Sequence, residues 1–172
     1  ALSLLDEISS RYTTLNLSKA WNAIEQGKML ISDAETLEKQ GMYADARKKA
    51  EESLVKSVNA AIYVVQQVLN LISRQGFLWV KPNLSSAQTA LTDAKKLLVE
   101  GEYEKALETT KHAYKLALSA EKEYVKRETS LKAILSAIPV AIAVIIAAYA
   151  IFYRRKQRRK TIPEPPPAPP ST

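Results

Sequence analysis

Residues 133–153 (AILSAIPVAIAVIIAAYAIFY) carry no charged side chain, and the basic block RRKQRRK follows at once. At about 1.5 Å of rise per residue this stretch makes about 31 Å of helix, enough to cross a hydrocarbon core of about 30 Å. It predicts a single membrane-spanning helix, with everything upstream folding as a water-facing domain. Pro139 is the one helix breaker inside the stretch and reads as a bend near the outer interface. Tyr149, Phe152 and Tyr153 gather at the far end, where amphipathic rings favour lipid headgroups. Arg154, Arg155, Lys156, Arg158, Arg159 and Lys160 follow them as a cytoplasmic retention signal. The expected location is the plasma membrane, single-pass, with the helical domain outside and the C-terminal tail cytoplasmic.

The formal charge of +7 does not indicate a nucleic-acid partner. The cations are concentrated after Tyr153, where they attract anionic lipid, and no basic face interleaved with aromatic residues lies upstream. With no Cys in the chain, a disulfide framework, a thiolate nucleophile and a cysteine metal site are excluded. The chain opens on Ala1, as a processed mature protein or a fragment of a longer one does.

The second strong signal is internal. Residues 31–60 align without gaps on residues 91–120, matching at Asp33/Asp93, Ala34/Ala94, Leu37/Leu97, Gly41/Gly101, Tyr43/Tyr103, Ala46/Ala106 and Ala60/Ala120. Each copy reads as helix, tight turn, helix. Gly41 and Gly101 sit just past a periodic apolar run, where a left-handed cap is needed, and Tyr43 and Tyr103 open the next run. The predicted helices cover residues 18–40, 42–73, 86–100 and 102–128, with Ser85 and Gln88 matching a capping box before the third. Tyr103, Ala106, Thr110, Ala113, Ala117, Ala120 and Tyr124 form a narrow stripe of mostly small side chains, which lets helices approach closely.

The fold class expected is all-α: two duplicated antiparallel helical hairpins forming a bundle, followed by a single transmembrane helix. Residues 1–17 form a short helix or the remnant of a preceding segment, through Leu4, Leu5, Ile8, Tyr12 and Leu15. Residues 18–131 form the bundle (repeats about 18–74 and 84–128), residues 132–153 the span, and residues 154–172 a basic, then proline-rich, disordered tail. No Gly follows Gly101, so the last bundle helix is expected to run directly into the span. Residues 57–73 are uncharged too, but four amides and a short length favour a central bundle helix over a second span.

The pattern A-x-x-L-x-x-x-G-x-Y-x-x-A, present at residues 34–46 and 94–106, resembles the turn between the two helices of a tetratricopeptide repeat. That resemblance implies a helical surface for binding peptide or helix segments. The spacing of the copies departs from the family's period of about 34 residues. Hairpins placed just before a C-terminal span are also similar to the membrane-proximal ends of archaeal cell-surface proteins.

Asp33 and Asp93 recur, but with no His or third carboxylate converging on them they read as solvated helix positions, and His112 as a surface residue. No cofactor, metal, catalytic residue or small-molecule substrate is inferred. The linker of residues 75–84 holds Phe77, Leu78, Trp79 and Val80 in a row. With the hairpins in matching register it falls at headgroup level, Phe77 and Trp79 contacting the interface; packing beneath the hairpins is the alternative. The expected role is a single-pass, membrane-anchored helical stalk, scaffold or accessory subunit. Its partners are the lipid bilayer and either other proteins or further copies of itself. The alternative is a tail-anchored cytosolic tetratricopeptide-like adaptor.

Overall fold

A computed structural model describes the backbone of residues 1–160 and the side chains of residues 1–154. The proline-rich segment read above as disordered lies outside the described residues. Among the described residues five helices follow one another: α1 (Leu2–Arg11), α2 (Ser18–Lys39), α3 (Tyr43–Ser73), α4 (Ser85–Val99) and α5 (Tyr103–Lys160). No strand occurs among the described residues. The chain divides into two compact units, Ala1–Arg127 and a second beginning at Glu128, with α5 contributing to both.

In the first unit α3 occupies the centre because apolar residues wrap most of its surface after Ser57, leaving only a narrow strip on which Asn59 and Asn70 are exposed. Val58, Ala60, Ala61, Ile62, Val64, Val65, Val68, Leu69 and Ile72 are all buried, and α3 packs against α1, α2 and α4. Residues 57–73 are therefore a core helix of the bundle. Each large aliphatic side chain buried there contributes about 1.5–3 kcal/mol before conformational entropy is subtracted. α1 belongs to the same core, which it enters through Leu4, Leu5 and Ile8. From α5, Ala106, Thr110, Ala113, Tyr114 and Ala117 are fully or almost fully buried, along the small-residue stripe expected from the sequence.

The chain reverses between α2 and α3, and again between α4 and α5, through the same hydrogen-bonded cap. Met42 N–H donates to the Leu37 carbonyl at 2.9 Å and Gly41 N–H to that of Glu38 at 2.9 Å. The second turn repeats this with Glu102 to Leu97 at 2.9 Å and Gly101 to Leu98 at 3.2 Å. These are Schellman caps, which need a left-handed residue after the helix, and Gly41 and Gly101 supply it with φ of 77° and 82°.

The helix starts depart from the capping box expected at Ser85 and Gln88. The residue before α4 is Leu84, and the N-terminal N–H of Ser85 is met from outside by Asn83 Oδ1 at 3.2 Å, which also accepts from Ser85 Oγ at 2.8 Å. Asn16 does the same for Ser18, at 3.1 and 2.7 Å. Both helices thus begin on Asn-Leu-Ser, an Asx-type turn in which the amide side chain imitates a backbone carbonyl.

The α2–α3 contact is close because Gly27 presents no side chain to it. Ser53 Oγ donates to the Gly27 carbonyl at 2.8 Å, and a Cβ at Gly27 would lie 3.3 Å from Ser53 Oγ. Lys56 Nζ to Gln26 Oε1 at 2.9 Å continues the same antiparallel register.

Candidate functional site

Among the described residues three places have chemistry beyond a packed bundle. The first is the distal part of α5. Every residue from 132 to 154 is exposed, including Ile134, Ile138, Val140, Ile142, Val144, Ile145, Ile146, Ile151 and Phe152. The uncharged, mostly apolar helical surface of residues 133–153 within it is not stable in water and requires an apolar solvent or a covering protein. Among the described residues this is the one helix long and apolar enough to cross a membrane. Pro139 lies inside it, where its missing N–H leaves the carbonyl four residues earlier without its usual helical partner. Tyr149 and Tyr153, one turn apart, stack with ring centroids 6.3 Å apart and planes at 20°, beside the exposed Phe152 and Arg154. Arg155, Lys156, Arg158, Arg159 and Lys160 extend the helix, and their side chains lie outside the described residues.

The second place is the linker between α3 and α4. Phe77 N–H donates to the Val80 carbonyl at 3.1 Å and Val80 N–H to that of Phe77 at 3.0 Å, closing a two-residue hairpin turn with Leu78 and Trp79 at its tip. Leu78 has φ of 55°, the only non-glycine residue with positive φ among those described. In two-residue turns that require φ > 0 at the first central position, Gly is the ordinary occupant. Phe77 and Val80 are half-buried at the base, while Leu78 is 58% and Trp79 76% exposed. Exposed Arg74 and Lys81 flank the turn. A cavity of about 200 Å³ beside it is lined by Lys81, Asn83, Ser86, Ser119, Glu123 and Arg127. Arg127 is paired with Glu123 at 3.7 Å.

The third place is Glu121, a carboxylate on α5 whose side chain is 13% exposed. Tyr12 Oη donates to it at 2.7 Å, Gln75 Nε2 at 3.2 Å and Arg11 at 3.4 Å. One group on α5 thereby joins the end of α1 and Gln75, just after α3. Burial first, and the Glu121 carboxylate second, hold the Tyr12 hydroxyl well above the ordinary tyrosine range. Tyr114 lies deeper, 2% exposed, and its hydroxyl finds no hydrogen-bond partner among the described residues. Burial, followed by the nearby Glu7 charge, pushes it up to about 12. An open groove lined by Arg11, Tyr12, Leu71, Gln75, Leu118 and Glu121 lies over this cluster.

Of the remaining residues singled out from the sequence, Tyr43 is 69% exposed whereas Tyr103 packs against the core. Asp33, Asp93 and His112 are exposed. Gly27, Glu121 and the conformation of Leu78 have no signature in the sequence. A lone Gly inside a helical run and a Glu among alternating charges carry no distinguishing local pattern, since their roles depend on residues far away in the chain. The paired Asn-Leu-Ser starts, in contrast, can be read directly from the sequence. No protein-family model, curated protein or solved structure matches the chain.

Proposed function

We propose that this protein is a single-pass, membrane-anchored helical scaffold or accessory subunit mediating protein–protein interaction at the cell envelope, with its bundle outside and its tail cytoplasmic. The observation that carries this reading is the uncovered, uncharged surface of α5 over residues 133–153, ending in the stacked Tyr149 and Tyr153 beside Arg154. Aromatic rings followed by a run of Lys and Arg mark the cytoplasmic exit of a span.

The bundle is read as a duplicated hairpin. Supporting this are two Schellman turns with matched hydrogen bonds, two Asn-Leu-Ser helix starts, and buried alanines at equivalent places, Ala34/Ala94 and Ala46/Ala106. The first arms differ in length, 22 residues in α2 against 15 in α4. That difference is close to two helical turns, so the buried faces keep their phase. Duplicated hairpins offer extended helical faces, which suits association better than chemistry on a bound substrate.

The test is topology in intact cells. Alkaline carbonate should leave the chain in the membrane, and external protease should remove the bundle while sparing an epitope placed after Thr172. Release by carbonate would refute the anchor. Digestion of the epitope with protection of the bundle would reverse the topology and favour a tail-anchored cytosolic adaptor.

A further inference from the structure

We infer that the Leu78–Trp79 hairpin tip is a lipid-contacting element that enters the headgroup zone of an anionic bilayer. The inference rests on the membrane-anchored reading, which keeps a bilayer within reach of the bundle.

Three observations on the first unit point the same way. Leu78 and Trp79 are among the more exposed large apolar side chains of that unit, and they sit together at the end of a projecting two-residue turn whose base, Phe77 and Val80, is half-buried and hydrogen-bonded both ways. The backbone at Leu78 is held at φ of 55°, where Gly would be cheaper. A β-carbon in the left-handed region is strained, and a leucine kept there at the tip is the kind of outlier from which a role for its side chain follows.

The third observation is charge. Residues 53–92 contain no Asp or Glu, while Arg74 and Lys81 bracket the tip and are exposed. The acids that other elements bring to this end are engaged: Glu121 by Tyr12, Gln75 and Arg11, and Glu123 by Arg127. An amphipathic indole beside an aliphatic tip and flanked by cations matches the interface of an anionic membrane, where Trp is enriched and each nearby cation favours binding. A protein pocket for the same tip would gain little from the two cations unless it were acidic.

The experiment uses the full chain carrying Trp21→Phe, which leaves Trp79 as the only tryptophan. It is reconstituted in vesicles of phosphatidylcholine with or without phosphatidylglycerol. Lipid brominated near the headgroup is placed either in the protein-bearing vesicles or in protein-free vesicles mixed with them. A turn that meets its own bilayer is then distinguished from one that meets a facing bilayer. Quenching of Trp79 by about twofold or more in either arm, with protection from aqueous iodide, supports the inference.

Leu78→Gly should reduce the quenching while leaving bundle unfolding unchanged or raised. Lys81→Gln should lower the bound fraction of the tip about fivefold in anionic vesicles, and not in neutral ones. Full iodide access without lipid quenching, in a chain that still resists carbonate extraction, overturns the inference and leaves the anchor standing. Protection of Trp79 that rises with protein concentration rather than with lipid also overturns it, assigning the tip to a second copy. Carbonate release with lipid quenching retained overturns the anchor and supports the tip.

Discussion

Removing the same hydroxyl from two buried tyrosines should have opposite effects. Tyr12 Oη donates to the Glu121 carboxylate at 2.7 Å, in a setting where both groups are largely shielded from water. A hydrogen bond to a charged group contributes about 1.5–3 kcal/mol, and Tyr12→Phe leaves Glu121 with Gln75 at 3.2 Å and Arg11 at 3.4 Å. For a unit of this size, with about 4 °C of Tm per kcal/mol, the loss should be about 6–12 °C. Tyr114 is more deeply buried than Tyr12, but among the described residues its hydroxyl makes no hydrogen bond of good geometry, with the Glu7 carboxylate acting on it as a nearby charge. Tyr114→Phe discards an unpaired buried polar atom while keeping the ring, so stability should be unchanged or higher by about 1 kcal/mol. Thermal unfolding of the full chain in mild detergent, followed by far-ultraviolet circular dichroism, reads both. Alkaline titration adds a second readout. Both tyrosines bind their protons more tightly folded than unfolded. Their contribution is therefore complete below about pH 10 and falls as pH rises through the folded value, by about 1.4 kcal/mol per pH unit for each. Each Phe variant should remove one share of that slope. A Tyr114→Phe loss larger than the Tyr12→Phe loss would refute the assignment of Glu121 as the polar tie between α1, α3 and α5.

Gly41→Val and Gly101→Val should each destabilise the bundle by about 1–2 kcal/mol in urea unfolding. The effect comes from the backbone alone, because no atom lies within 4 Å of the added Cβ at either position and both have positive φ. Asn at the same positions, which tolerates the left-handed region better, should lose less. Gly27→Ala should stay within about 1 kcal/mol of the parent protein, since improved helix propensity offsets a tight 3.3 Å contact with Ser53 Oγ. Gly27→Leu, which drives a branched side chain into the α2–α3 contact, should lose about 1–3 kcal/mol by the same measurement.

What the sequence determined by itself is what short-range physics encodes. An uncharged run bounded by aromatic and basic residues specifies a lipid-compatible helix, because hydropathy is additive along a helix. Gly41 and Gly101 mark reversals because a left-handed cap is a property of one residue and its immediate neighbours, and the four amides of residues 57–73 favoured bundle burial over a second span. The start of α4 differs from the capping box that Ser85 and Gln88 suggest and is an Asx turn made by Asn83, a choice between two local hydrogen bonds of similar strength. Only tertiary structure decided which charges matter. Glu121 is one of several acids along α5, and it becomes the meeting point of Arg11, Tyr12 and Gln75 because packing brings residues separated by 46 to 110 positions to one spot. Gly27 likewise acquires its role from Ser53 on the facing helix, and Leu78 its positive φ from the closure of Phe77 on Val80. Burial removes water as the alternative partner, so the value of such groups is set by which neighbours remain, and one-dimensional periodicity does not record that.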